Sequence, residues 1–232
     1  MSESHYNPSI KSFVLRQGRL TPGQKNAFEQ SWADYGIEFK DAPLDLAGLF
    51  AQTQPTYLEI GFGNGDTLAQ MATHYPHCNF LGIEVHRPGV GHLLVELKAR
   101  NLTNVKIICH NAVEVIHHIP PQTLAGMHIF FPDPWSKKKH HKRRLIQPWF
   151  VQLSIPKLCA QGYLHIATDW QNYAEHILNV MQATPGLINH SQAEYKRPSY
   201  RPNTKFEQRG LNCGHTIWDL VFSHAQTISP PA

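Results

Sequence analysis

No stretch of this 232-residue chain approaches the roughly 20 consecutive apolar residues that span a bilayer, and its start, MSESHYNPSIKSF, lacks the apolar centre of a signal peptide. A soluble, cytoplasmic protein with no membrane partner is the expectation. The four cysteines, Cys78, Cys109, Cys159 and Cys213, form no C-x-x-C pair, which leaves no zinc knuckle or redox motif and predicts reduced thiols. Sixteen histidines offer neither H-E-x-x-H nor H-x-H spacing, and the adjacent pairs His117-His118 and His140-His141 would point apart on a helix, so no metal is expected. Internal repeats and low-complexity tracts are also lacking. Hydrophobic residues at 41% are enough to bury a core, and the length suits one α/β domain with an extension.

Net charge is small, +4, but it is unevenly placed. Residues 136–144 (SKKKHHKRR) carry +6, residues 1–25 carry +3 and residues 194–209 carry +3, so the rest of the chain is net −8. Basic segments on an acidic body point to a polyanionic partner, against the alternative of a merely solvated charge run. The +6 run is expected to be mobile without such a partner, because like charges at this density repel.

Residues 1–50 lack strong periodicity and read as a basic, partly flexible N-terminal extension with one short helix over 24–35. From residue 51 to 232, short apolar runs alternate with amphipathic stretches, the pattern of βα units in a doubly wound, mostly parallel sheet with helices on both faces. Strands are predicted at 56–60, 80–85, 105–109, 127–131, 163–167 and 217–222, with a weaker one at 191–195. Helices are predicted at 66–74, 91–100, 145–158 and 170–182. Ligands of such sheets bind at the carboxyl ends of the strands, near the switch in strand order.

Three motifs fall at those strand ends. In Glu59-Ile60-Gly61-Phe62-Gly63-Asn64-Gly65-Asp66 a strand meets a glycine-rich turn, and Gly61, Gly63 and Gly65 permit close backbone approach to a ligand. A dinucleotide fingerprint would place glycine where Asp66 stands, and Glu59 would repel a pyrophosphate yet attract an ammonium group. S-adenosylmethionine fits that pair of facts better than NAD. Glu84, closing the next strand, can accept the hydroxyls of a ribose, and Asn111, after the third, is placed to read an adenine edge. At the fourth strand's end, Phe131-Pro132-Asp133-Pro134-Trp135 locks a turn around Asp133 and offers the indole of Trp135 as a face for a planar base.

With these segments, and with Arg16-Gln17-Gly18-Arg19, Ala167-Thr168-Asp169 and Thr204-Lys205-Phe206-Glu207, the chain resembles the bacterial tRNA (guanine-N7-)-methyltransferase family from about Leu15 to Phe222. The resemblance implies the Rossmann-like class I S-adenosylmethionine-dependent methyltransferase fold. It also implies methyl transfer to N7 of a guanine in the tRNA variable loop, at position 46, giving 7-methylguanosine. Carried over by position, it implies cofactor contacts from Glu59, Glu84, Asn111 and Asp133, with Asp133 catalytic. Substrate contacts are implied from Lys137, Asp169, Thr204, Lys205, Phe206 and Glu207, and RNA contacts from Lys139, His140, His141, Lys142, Arg143 and Arg144; Lys138 and Lys139 depart from the less uniformly charged stretch of the family. A monomer or a homodimer is compatible with the sequence. Two rivals stand beside this reading, a methyltransferase of the same fold with another acceptor and a non-catalytic RNA-binding protein.

Overall fold

An eight-stranded sheet runs through the middle of the computed structural model, which describes residues 7–14, 18–191 and 195–224. In chain order the strands are β1 (Gly36–Ile37), β2 (Thr56–Ile60), β3 (Asn79–Ile83), β4 (Val105–Ile108), β5 (Leu124–Phe130), β6 (Leu158–Thr168), β7 (Leu187–Asn189) and β8 (Trp218–His224). Their spatial order is β1-β4-β3-β2-β5-β6-β8-β7. All pairings are parallel except those of β8, which runs antiparallel to β6 and to β7. The order reverses between β2 and β5, which puts the switch point beside the glycine-rich turn.

Helices cover both faces, and their side chains divide the core in two. On one side α2 (Asp66–His74) and α3 (Arg87–Ala99) bury Leu68, Met71, Leu93, Leu94 and Leu97 against Phe80, Val105 and Ile107. On the other, α4 (Ala112–His118), α5 (Pro148–Ser154) and α6 (Gln171–Gln182) bury Ile116, Phe150, Val151 and Ile177 against Leu58, Leu81, Ile83 and Ile129. Covered on both faces, β3 is buried at every position, with the apolar run Phe80 to Ile83 following a buried Asn79.

The strands and helices expected from the sequence are present at nearly the expected places, with instructive differences. The 145–158 helix is shortened, because Pro148 sets its start and Pro156 turns its end into a 3-10 segment. The expected seventh strand lies earlier, as β7, and residues 192–194 of the expectation are outside the described residues. Within the N-terminal extension, α1 (Pro22–Tyr35) opens on a capping box in which Thr21 and Gln24 serve each other's backbone N–H. Gln24 donates to Pro88 O at 2.9 Å and β1 joins the edge of the sheet beside β4, so residues 21–37 are part of the sheet-and-helix body.

The +6 run was expected to be mobile. It instead forms a 3-10 helix, Lys138–Arg143, anchored at its end by Arg144. That guanidinium, 2% exposed, donates to Pro134 O at 2.9 Å and to Asn172 Oδ1 at 2.8 Å, and it lies over the ring of Tyr173.

Candidate active site

A cleft of about 610 Å³ opens at the carboxyl ends of β2, β3, β4 and β5. Its walls include Gly61, Gly63, Glu84, Asn111 and Asp133, so five sequence-chosen residues from four separate turns meet there. Gly61 and Gly63 hold φ of +72° and +60°, and a Cβ built on either would project into open space. A side chain there would be strained and would fill the room that a ligand backbone needs. Gly65 serves differently. It is the N-cap of α2, it does not line the cleft, and a Cβ on it would stand 2.7 Å from Leu93, so its role is close packing of the turn against α3.

Glu59 lies beneath the cleft wall in the central strand, 3% exposed, with Oε2 lacking a hydrogen-bond partner among the described residues. Burial, with the nearby Glu84 charge adding to it, pushes its carboxyl up to about 8. A buried carboxylate with an unmet acceptor is stable only when protonated or when a cation approaches. Glu84 is held by three backbone donors: Gly63 N–H at 2.9 Å to Oε2, and Val85 and His86 N–H at 2.6 and 2.9 Å to Oε1. Its carboxylate is thereby fixed at the cleft wall with lone pairs to spare for hydroxyl donors. Asn111 caps α4 through Oδ1 and donates to Glu114, so its amide is oriented before any ligand arrives.

Asp133 stands at the mouth. The residues flanking its turn, Phe131 and Trp135, both have positive φ, +53° and +46°, a conformation that costs on the order of 1–3 kcal/mol each and is concentrated at functional sites. The turn is secured by Phe131 N–H donating to Ala167 O at 2.8 Å and by Arg144 on Pro134 O. Partial desolvation beside the cleft pushes the carboxyl of Asp133, a residue exposed overall, above its ordinary range, and Arg143 opposes that rise. Of the two faces of Trp135, one is covered by the Arg143 guanidinium at 3.6 Å, and its indole N–H donates to Ser12 O.

The substrate and RNA positions separate into reachable and spent side chains. Lys137, Lys139 and Lys142 are exposed, and His140 and His141 are partly so. Arg144 cannot meet a phosphate while it is buried as described. Arg143 is half-buried, with its guanidinium donating to Lys11 O and Phe13 O. Asp169 borders a second hollow of about 460 Å³, where its Oδ2 lies 3.1 Å from His215 Nδ1. The segment 204–207 begins an unexpected helix, α7 (Lys205–Asn212), capped by Thr204 Oγ1 accepting from Glu207 N–H. Phe206, 62% exposed, lines the cleft and stacks on Phe131, while Lys205 reaches Asp66 at 2.8 Å. Glu207 was expected to accept from a base, but it is 5% exposed and its Oε2 takes Arg201 NH1 at 2.6 Å.

That ion pair opens a network that no sequence motif announces. Arg201, 1% exposed, also forks onto Asp219, Nε to Oδ1 at 2.6 Å and NH2 to Oδ2 at 2.8 Å. Asp219 Oδ1 lies 2.7 Å from His165 Nε2, and His165 Nδ1 lies 2.8 Å from the Tyr200 hydroxyl. Paired so, the Asp219 carboxyl is held below its ordinary range, while burial depresses His165. In the sequence Arg201 counts only as one charge of a basic segment. Among the described residues no group of three His, Cys, Asp or Glu is placed to hold a metal, and no helix is long and apolar enough to cross a membrane.

A family profile described as "Putative methyltransferase" matches residues 53–220. A tRNA (guanine-N(7)-)-methyltransferase of Aeromonas hydrophila is 53% identical over 216 residues, covering 92% of this chain and 91% of its own. One of Nitrosospira multiformis is 49% identical over 227 residues, covering 97% and 99%. The chain belongs to the tRNA (guanine-N7-)-methyltransferase family. Among solved structures, the aminoglycoside resistance methyltransferase NpmB1 matches with a TM-score of 0.50 at 11% identity, over 89% of this chain and 95% of its own. SMU.1697c of Streptococcus mutans, solved in complex with SAH, matches with 0.50 at 11%, over 75% and 90%. At such identity these two establish the fold alone, a Rossmann-like class I methyltransferase sheet with helices on both faces. S-adenosylmethionine is the cofactor of the methyltransferase, and the cleft has room and polar groups for such a ligand: Gly61 and Gly63 leave open space beside the turn, and the carboxylate of Glu84 is fixed at the wall.

Proposed function

We propose that this methyltransferase transfers the methyl group of S-adenosylmethionine to N7 of a guanine in the variable loop of tRNA, at position 46, giving 7-methylguanosine. The observation that carries the reading is the junction at the cleft mouth, where Asp133 and Phe206 border the cofactor cleft and the exposed lysines of residues 137–142 begin directly after the turn. The relatives named tRNA (guanine-N(7)-)-methyltransferase, matched over nearly their whole length, support the coarser part of this reading, methyl transfer to a guanine N7 of tRNA.

S-adenosylmethionine, when bound, supplies an electrophilic methyl on a sulfonium. Guanine N7 has an in-plane lone pair and no proton at neutral pH, so no residue is required as a base. What the chain must provide is alignment, which in favourable systems is worth on the order of 7–11 kcal/mol. Asp133, at the end of a locked turn, orients the acceptor and offsets positive charge as it develops on the base. Phe206 gives the base an apolar face, and Asp169, outside the cleft lining but packed against Gly210 on the same helix as Phe206, is the acceptor assigned to its N1–H and exocyclic amine, which would select guanine over adenine. A-form helices hide N7 in a narrow groove, so a loop nucleotide is the accessible target. The deciding experiment is transfer of labelled methyl to unfractionated tRNA, followed by mapping of the labelled nucleotide. Label in 7-methylguanosine at position 46 is expected; label at another position overturns the finer assignment, and no transfer to intact tRNA overturns the function.

A further inference from the structure

Ser12, Phe13 and Val14 form one wall of the cofactor cleft, yet residues 11–14 belong to no strand or helix. Such a segment stays in place only if something holds its backbone. Three successive carbonyls are held by two side chains: Lys11 O accepts from Arg143 Nε at 2.9 Å, Ser12 O from Trp135 Nε1 at 3.2 Å, and Phe13 O from Arg143 NH2 at 3.0 Å. The two holders are themselves stacked, with the guanidinium 3.6 Å from the centre of the indole ring. This fork uses the planar donor geometry of arginine, which lysine cannot reproduce. Trp135 is in turn aimed by its positive φ at the end of the turn that carries Asp133.

We infer that Arg143 and Trp135 are positioning residues for the cofactor: they clamp residues 11–13 as a wall of the cleft, and this, rather than an RNA phosphate or a stacked base, is their task. The inference rests on the reading of the cleft as the S-adenosylmethionine site. Loosening the clamp leaves a wall that must be ordered when the cofactor binds, so affinity falls while the exposed lysines remain unchanged.

The test uses the full chain carrying Arg143→Lys, Trp135→Phe or Phe13→Ala, and the double variant Phe13→Ala/Arg143→Lys. Arg143→Lys keeps the charge that RNA would feel, and Trp135→Phe keeps a ring but removes the N–H donor. Calorimetric titration with S-adenosylmethionine in the absence of RNA should show at least threefold weaker binding for both clamp variants. The double variant should be no weaker than about the worse of its two parents, because both changes act through one wall. The log–log salt slope of tRNA binding should be the same in Arg143→Lys as in the parent. Cofactor affinity within threefold of the parent in either clamp variant overturns the inference, as does additive loss in the double variant or an altered salt slope. A parent protein that binds no S-adenosylmethionine would instead overturn the reading of the cleft.

Discussion

Asp133 and Arg201 illustrate two uses of a charged side chain in this molecule, one held at a cleft mouth and one sealed inside. On the proposed mechanism the Asp133 carboxylate orients the acceptor and compensates charge, so Asp133→Asn is expected to fold and to lose most methyl transfer. Turnover within about threefold of the parent, a change below ~1 kcal/mol, would remove it from the catalytic assignment. Arg201 carries no such freedom. It balances Glu207 and Asp219 with almost no solvent access; Asp219 also meets His165 and Glu207 has Arg197 at 3.7 Å, yet removal of one partner of a buried ionic cluster typically costs about 3–5 kcal/mol because the remaining charges are left short of compensation. Arg201→Leu should therefore lower the melting temperature by roughly 10 °C and detach α7 from β8. A thermal scan showing a shift of under about 3 °C would mean that the two carboxylates find other partners.

At the scale of elements, the basic 3-10 segment and α7 show what sequence reveals and what it hides. Lys138, Lys139 and Lys142 face solvent, whereas Arg143 and Arg144 turn inward. Replacement of the three lysines by Ala should reduce the log–log salt slope of tRNA binding by about 0.7–0.9 for each phosphate that loses its lysine, with cofactor affinity intact. An unchanged slope, from affinities measured at several salt concentrations, would leave these lysines merely solvated. Composition alone marks the run as basic, but no pattern within KKKHHKRR says which residues turn inward; for Arg144 that depends on Asn172 and Tyr173, about thirty positions away, and for Arg143 on Trp135 and on the carbonyls of Lys11 and Phe13. The strands β2 to β6 are legible because a parallel sheet covered on both faces demands mainly apolar runs, here interrupted only by single polar residues such as Glu59, Lys106 and His128, and the cofactor turns are legible because each ends such a run. Helix α7 is not, since Lys205-Phe206-Glu207-Gln208-Arg209 has no apolar stripe. Its stability comes from the Thr204 cap and from the buried Glu207–Arg201 pair, whose members gain meaning only in three dimensions. The same tertiary origin explains why Glu207 reads as a substrate contact in sequence and as an ion-pair partner in the fold.

The whole molecule is expected to record these buried groups in its pH dependence. Glu59 has its folded pKa raised from 4.5 to about 8, so the folded state binds the extra proton. By linkage its contribution is full below about pH 4.5 and is lost as pH rises through about 8. His128 and His165 are shifted the opposite way, their pKa values lowered from 6.5 by burial, so the unfolded state binds the protons; their contribution is present above about pH 6.5 and is lost as pH falls below it. Between pH 4.5 and 6.5 the two slopes oppose each other, while above 6.5 only the Glu59 loss remains of these three. Stability without ligand should then peak near pH 6.5 and decline by roughly 2 kcal/mol toward pH 8, at about 1.4 kcal/mol for each pKa unit traversed. Glu59→Gln keeps the shape and removes the titration, so its stability should be level over the same interval and exceed that of the parent at pH 8. It should also bind S-adenosylmethionine more weakly, because the ammonium loses its charged partner. Denaturant unfolding of both proteins at about pH 5.5, 6.5 and 8, with and without S-adenosylmethionine, measures all of this. Saturating cofactor should flatten the alkaline decline in the parent, since a bound cation lets Glu59 ionise without penalty. Parallel stability curves for parent and variant between pH 6.5 and 8 would show that Glu59 is already ionised or already paired in the unliganded fold, and the role of its unmet oxygen as the receptor for the cofactor's ammonium would fall with it.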